Sequence, residues 1–130
     1  MQFLERFREL AGDLRRSPGL TPHRAVEEWS DFVDDCAEGY EGTLFEYWDD
    51  LTIRSFLQRV IDDPAIKETP ELAWFKSEIH RADEIFARLL AQGFEVTGGR
   101  GWWERKLPRI AGHEMAANIK EQYGHEVEVI

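Results

Sequence analysis

Histidine and glutamate stand side by side at His113 and Glu114, as they do at the start of the zinc-protease pattern H-E-x-x-H. That pattern needs a second histidine one helical turn later, so that both imidazoles reach the same zinc ion. Ala117 occupies that position. The sequence therefore predicts no zinc-protease site, and we expect His113 and Glu114 to be solvated or helix-capping residues.

Carboxylates between Asp31 and Glu46 are dense enough to suggest a calcium loop or a carboxylate-bound metal pair. A calcium loop that begins at Asp35 needs glycine at its sixth position, where Tyr40 stands. Di-iron bundle sites need Glu-x-x-His pairs, and no histidine here has a glutamate three residues before it. The histidines are His23, His80, His113 and His125. We therefore expect neither a metal nor any other cofactor.

Cys36 is the only cysteine, which excludes an internal disulfide. It falls on the apolar stripe of a predicted helix, where a thiol acts as a small buried hydrophobe rather than as a nucleophile. The patterns G-x-S-x-G and glycine-rich loop followed by Lys-Ser/Thr are both missing from the sequence. These observations favour a protein that is not an enzyme, and an enzyme with a carboxylate site is the least favoured alternative.

Acidic residues are concentrated in residues 25–53, which hold ten Asp or Glu and no Lys or Arg. The chain has 26 acidic and 16 basic residues, so the remaining acids and bases cancel and the formal charge of −10 belongs to this segment. Like charges one helical turn apart, such as Asp31 with Asp34 and Asp35, destabilise a helix, and a basic partner would relieve that repulsion. The alternative is that the acids only keep the protein soluble. The predicted partner-binding residues are Glu27, Glu28, Asp31, Asp34, Asp35, Glu38, Asp49 and Asp50.

Residues 98–109 form the other unusual stretch, with four basic residues, two adjacent tryptophans and three glycines. One interpretation is a loop that stacks on the bases of single-stranded nucleic acid and binds its phosphates. Nucleic acid is nevertheless an unfavoured partner, because the acidic charge of the protein repels it outside this patch. In the second interpretation the tryptophans seal the core. The residues of this alternative site are Arg100, Trp102, Trp103, Arg105 and Lys106.

The elements that must position these residues are predicted to be helices, because apolar residues recur at three- and four-residue steps. Thr21-Pro22 and Thr69-Pro70 are typical helix starts, Thr43 with Glu46 forms a capping box, and Ser17-Pro18-Gly19 is expected to end the first helix. The predicted helices run from Phe3 to Leu14, from Pro22 to a stop at Gly39, from Thr43 to a break at Asp49-Asp50, from Thr52 to Asp62-Asp63-Pro64, from Thr69-Pro70 to Gly93, and from about Pro108 to Tyr123. Phe94 to Gly101 is expected to be a loop.

A length of 130 residues suits one domain with one apolar core, and five Trp, eight Phe and three Tyr supply bulky material for that core. The predicted fold is all-α: a compact single-domain bundle of about six helices that spans residues 1–130. The tail Glu126 to Ile130 alternates like a strand but has no evident partner, so we expect an extended tail packed on the helices. No segment has the roughly 20 apolar residues of a membrane span, and a cytoplasmic location is expected.

The order of these features resembles that of a set of small, uncharacterised bacterial helical proteins. The resemblance lies in an acidic helix that ends at Gly39-Tyr40, in the stretch FEYWDDLTIR from Phe45 to Arg54, and in GWWERKLPRIAG from Gly101 to Gly112. In size and acidity the chain is also similar to immunity proteins of bacterial toxin systems, which block basic nuclease toxins. That second resemblance implies a protein-binding module with a basic protein partner, and it transfers no functional residue.

Overall fold

The computed structural model of this chain describes residues 2–16 and 18–130. Over these residues it is predominantly helical and compact, as predicted, with six α-helices and four strands of two residues each. The helices are α1 (Phe3–Asp13), α2 (Pro22–Ala37), α3 (Leu44–Asp62), α4 (Pro64–Lys67), α5 (Leu72–Ala91) and α6 (His113–Tyr123). Within the described ranges, no helix is long and apolar enough to cross a membrane.

Helix α1 ends earlier than predicted, at Asp13. Arg15 adopts a left-handed φ of 54°, and its N–H donates to Gly12 O at 3.1 Å while the N–H of Arg16 donates to Ala11 O at 2.9 Å. This is the Schellman arrangement, with arginine where glycine is usual. Ser17, which was predicted to help end the helix, lies outside the described residues.

Helix α2 begins and ends where its sequence signals predict. The Thr21 hydroxyl oxygen accepts from the N–H of Arg24 at 3.1 Å, and Pro22 occupies the first turn. Gly39 follows the helix with a φ of 91°, a conformation that costs glycine little. The buried stripe holds Ala25, Val26, Trp29, Phe32, Val33 and Cys36.

Helix α3 is one continuous helix, so the predicted break at Asp49-Asp50 and the fresh start at Thr52 are wrong. Its capping box is present, because Thr43 accepts from Glu46 N at 3.1 Å and Glu46 accepts from Thr43 N at 3.3 Å. Aspartate inside a helix costs only about 0.7 kcal/mol relative to alanine. The Thr52 hydroxyl donates to Asp49 O within the helix at 2.6 Å, and buried Leu51 continues the packing through the expected break.

Asp63 ends α3, as predicted, and starts α4, which the sequence interpretation missed. Its carboxylate accepts from the N–H groups of Ala65 and Ile66 at 3.1 and 3.2 Å. The predicted start of the next helix at Thr69-Pro70 is two residues early, since α5 begins at Leu72. The Thr69 hydroxyl instead donates to Ile66 O at 2.7 Å and closes α4.

Two small sheets contradict parts of the prediction. Strand β1 (Phe94–Glu95), in the expected loop, pairs antiparallel with β2 (Lys106–Leu107). Strand β3 (Ile110–Ala111) pairs in parallel with β4 (Glu128–Val129), so the tail does have a strand partner. Helix α6 therefore begins at His113 and not near Pro108, and a short 3-10 helix occupies Trp102–Glu104.

The core places the acidic segment at the surface. Helix α2 packs against α5 on one side and α3 on the other, and α3 packs in turn against α6. An aromatic cluster lies where α2, α3 and α5 meet: the Phe32 ring lies 5.9 Å from Trp29 and from Phe86 and 5.4 Å from Tyr47. Because the apolar stripes of α2 and α3 fill this core, their charged sides face outward and lie next to each other.

Candidate functional site

The eight predicted partner-binding residues all lie exposed on two adjacent helices, and we call this set the acidic face. Five of them lie on the outer side of α2, opposite its buried stripe, Glu38 caps the end of this helix, and two lie in the first half of α3. The members are Glu27, Glu28, Asp31, Asp34, Asp35, Glu38, Asp49 and Asp50. The two helices therefore form one continuous acidic surface rather than two separate ones.

Basic residues of the chain neutralise only one end of the acidic face. Glu27 pairs with Arg24, and Glu28 pairs with Arg16 at 2.9 Å. Both pairs are largely exposed, and such pairs contribute at most about 1 kcal/mol. The other six carboxylates form no ion pair with residues 2–16 or 18–130. Most of the acidic face is therefore left with unbalanced negative charge.

Carboxylates of α2 and α3 converge on a cleft between the two helices. This cleft has a volume of about 430 Å³ and is lined by Asp35, Glu38, Gly39, Tyr40, Glu41, Gly42, Glu46 and Asp50. An adjoining cleft of about 220 Å³ shares Asp35 and Asp50 and extends to Asp31 and Glu28. Sequence periodicity predicted that Asp35 and Glu38 are exposed, whereas the convergence of the carboxylates depends on how α2 packs against α3.

The hydroxyl of Tyr40 is a hydrogen-bond donor at a fixed position in this cleft. Its hydroxyl donates to the Asp50 carboxylate at 2.5 Å, and its carbonyl accepts from the N–H of Gly112 at 2.9 Å. Burial raises the pKa of the Tyr40 hydroxyl well above its usual range, and the hydrogen bond to Asp50 adds to that rise. The hydroxyl therefore stays protonated and orients Asp50 rather than transferring a proton.

Asp35 shows the electrostatic cost of the acidic face. Partial burial raises the pKa of its carboxyl, and the charges of Asp31, Glu38, Asp34 and Asp50 raise it further, in that order. A raised pKa means that the folded protein disfavours the charged form. A cation brought to this surface would reduce that penalty.

Two buried side chains lie beneath the acidic face. Burial raises the pKa of the Cys36 thiol far above neutrality, so it does not ionise to a nucleophilic thiolate. The Tyr47 hydroxyl is buried without a hydrogen-bond partner in the described part of the chain, and burial raises its pKa as well. Both groups belong to the core rather than to a reactive site.

The alternative site in residues 98–109 folds onto the core through Trp103. Trp103 is buried, its indole N–H donates to Ser55 Oγ at 3.0 Å, and the Arg54 guanidinium lies 4.4 Å from the centre of its ring. Trp102 keeps 37% of its surface exposed and lies 6.2 Å from the Phe86 ring.

The basic residues of the same stretch lie at the surface, where Arg105 donates to the carbonyl of Arg100 at 3.3 Å. Arg100 and Arg105 are exposed, and Lys106 is half-buried in β2. In the structure, the basic residues of this stretch and the Trp102 indole lie at the surface, whereas the Trp103 indole packs in the core.

Sequence reasoning missed a buried ion pair between α3 and α5. The Arg54 guanidinium donates to both carboxylate oxygens of Asp83, at 2.8 and 2.9 Å, and Gln58 accepts a further bond at 3.0 Å. Trp29 Nε1 also donates to Asp83, at 3.0 Å. The available signal was that Arg54 and Asp83 each fall on the apolar stripe of their own helix, where isolated charges are rarely tolerated.

Among residues 2–16 and 18–130, no group of three or more His, Cys, Asp or Glu side chains has the arrangement of a metal site. His113 and Glu114 are exposed in the first turn of α6. The carboxylates of the acidic face can instead attract cationic groups of another molecule by charge and accept hydrogen bonds from them.

The fold and the site define this protein as an α-helical bundle that presents an acidic surface on two adjacent helices. Comparison with protein-family models, with curated proteins and with solved structures gave no match to the chain. The resemblances noted from the sequence therefore remain predictions.

Proposed function

We propose that this protein is a non-enzymatic protein-binding module whose acidic face covers a basic surface of a partner protein. In this proposal it acts in the manner of an immunity protein that neutralises a basic partner such as a nuclease toxin. The observation that carries the proposal is that six neighbouring carboxylates have no ion-pair partner among the residues that the structure describes.

Unbalanced charge of one sign supports binding in two ways. It steers an oppositely charged partner to the surface, which raises the association rate, and it repels partners of the same sign. Burial is the main cause of the raised pKa of Asp35, and the repulsion from neighbouring carboxylates that adds to it would be relieved when cationic side chains approach. A face that only served solubility would need neither the uniform sign nor the convergence on one cleft.

Charge reversal tests this proposal. Replacing Asp34, Glu38 and Asp49 by lysine changes three exposed carboxylates without removing a side-chain hydrogen bond. A matched control replaces Glu68, Glu84 and Glu121, which are exposed on other parts of the surface and carry the same total charge change. Each protein is immobilised and used to capture proteins from lysate of the source organism at low and at moderate salt, with identification by mass spectrometry.

We expect one basic protein to be retained by the native chain and by the control, and lost by the variant with the reversed acidic face. Thermal unfolding of the three proteins shows whether folding explains the loss. The reversed variant should melt at the native temperature or above it, because it removes like-charge repulsion. Equal retention by all three proteins would contradict the proposal.

A further inference from the structure

Phe45 is the most exposed large hydrophobic side chain in the described ranges, with 81% of its surface accessible. The next most exposed, Ile130, reaches 53%. Phe45 is the second residue of α3 and lies within the acidic segment. Folding does not account for this side chain, because it buries almost none of its apolar surface.

Helix geometry places Phe45 on the outer side of α3. Leu44, Tyr47 and Leu51 face the core and are buried. Trp48 lies one turn after Phe45 on the outer side, is half-buried, and packs edge-on against Tyr47 with the ring centres 5.2 Å apart. The first turns of α3 therefore present two neighbouring aromatic side chains, of which one is almost fully accessible.

Hydrogen bonds hold the turn that carries Phe45 in a fixed conformation. Thr43 and Glu46 bond to each other through the capping box. The N–H of Leu44 donates to the side-chain oxygen of Asn118 on α6 at 3.0 Å, which ties the start of α3 to a second helix. The backbone of such a turn loses little conformational freedom on binding, and this pre-organisation favours affinity.

Carboxylates lie close to this aromatic pair in the sequence. Glu41, Glu46 and Asp49 are exposed beside it in the sequence, and residues 25–53 contain no Lys or Arg. A partner that covers Phe45 would lie close to these carboxylates, which favours a partner with a basic rim.

We propose that Phe45, with Trp48 beside it, is the apolar anchor of a docking surface for a basic segment of a partner protein. The segment carries an apolar side chain that packs on Phe45 and Lys or Arg side chains that contact Glu41, Glu46 and Asp49. This inference rests on the proposed function and names a site next to Asp49 of the acidic face where binding energy concentrates. Aromatic residues at the centre of an interface commonly carry most of that energy, while surrounding charges set the approach.

The probe is a short synthetic peptide with a pair of leucines between arginines. The control peptide has serines in place of the leucines. We expect the native chain to bind the leucine peptide about tenfold more tightly than the serine peptide, and the Phe45→Ala variant to lose this preference. The melting temperature of Phe45→Ala should stay within about 2 °C of the native value, because the side chain is exposed.

Leu4→Ala is the matched control. Leu4 is also an exposed apolar side chain, with 41% of its surface accessible, and it lies on α1, which packs against the other end of α3 through Phe7 and Phe56. This variant should keep the tenfold preference. Amide chemical shifts recorded with the leucine peptide should change at Phe45, Trp48 and Asp49, and not around Leu4.

The outcomes separate this inference from the proposed function. If both peptides bind in a salt-sensitive way but Phe45→Ala keeps the native preference, Phe45 is not the anchor, and the proposed function of the acidic face is unaffected. If neither peptide shows salt-sensitive binding, the proposed function, in which the acidic face binds a basic partner, is contradicted. If the native chain alone sediments as a dimer and Phe45→Ala as a monomer, the occupant is a second copy of the chain, and the proposed basic segment is wrong.

Discussion

Arg54 donates two hydrogen bonds to Asp83 in the interior, at 2.8 and 2.9 Å, across the interface between α3 and α5. The two side chains are only 3% and 12% exposed. Trp103 covers the guanidinium and Trp29 donates to the carboxylate, so a single ion pair links α2, α3, α5 and the stretch at residues 98–109. This arrangement fixes how the acidic helix α2 sits on the rest of the molecule.

Asp83→Asn should destabilise the protein by about 3 kcal/mol, because it leaves the buried Arg54 cation without its counter-charge. Urea unfolding followed by tryptophan fluorescence measures the change. The double variant Arg54→Met with Asp83→Leu removes both charges and should lose less stability than Asp83→Asn alone. A single variant with native stability would show that the pair is not required for folding.

Tyr47→Phe should leave the protein as stable as the native chain or stabilise it by about 1 kcal/mol. The substitution removes a buried hydroxyl that has no hydrogen-bond partner among the described residues, and burying such a group is unfavourable. Tyr40→Phe is the matched comparison, and it should destabilise by about 1 kcal/mol since it removes the bond to Asp50. A loss of stability in Tyr40→Phe without a loss in Tyr47→Phe would confirm both assignments, whereas equal losses would contradict them.

Asp63 should make stability fall in acid. The hydrogen bond from Arg6 is the main cause of its lowered pKa, with further bonds from the N–H groups of Ile66 and Ala65. A lowered pKa contributes stability above the unfolded value of 3.8, and this contribution is lost as pH falls from there through the folded pKa. Asp63→Asn should therefore show a smaller loss of melting temperature than the native chain between about pH 4 and pH 2. Identical acid profiles would contradict this prediction.

Asp35 should have the opposite effect on how stability depends on pH. Its pKa is raised, so the folded state binds a proton more readily than the unfolded state does, and stability falls as pH rises from 3.8 through the folded pKa. Asp35→Asn should thus stabilise the protein at neutral pH by about 0.5 kcal/mol, the size of a like-charge helical pair. Glu84→Gln, an exposed acid on α5, serves as the control and should change little. If Asp35→Asn destabilises the protein, the carboxylate has a favourable partner in the fold.

Local signals in the sequence were sufficient to predict much of the fold. The periodicity of Trp29, Phe32 and Cys36 predicted which side of α2 is buried, and Thr43 with Glu46 predicted the start of α3. The same kind of signal failed at Asp49-Asp50, because a turn preference worth less than about 1 kcal/mol yields to the packing of Leu51 and its neighbours. The alternation of the tail indicated a strand, but its pairing, in which Glu128 lies opposite Ile110, depends on a contact that no local pattern reveals.

The candidate site was predictable only as a set of exposed charges. Sequence position indicates that Asp35 and Asp50 are exposed, but not that they line one cleft, since that requires the packing of α2 on α3. Likewise, the sequence does not show that Phe45 is exposed, because this depends on which side of α3 packs in the core.

The hydrogen bond from Leu44 to Asn118 joins groups 74 residues apart in the chain. During synthesis, the turn that carries Phe45 therefore lacks one of its fixed contacts until the ribosome has released most of α6. Helices α2 and α3 can form and pack before then, because their contacts are close in sequence. A nascent chain would thus expose its acidic charge early and complete the turn beneath Phe45 only after α6 has emerged from the ribosome.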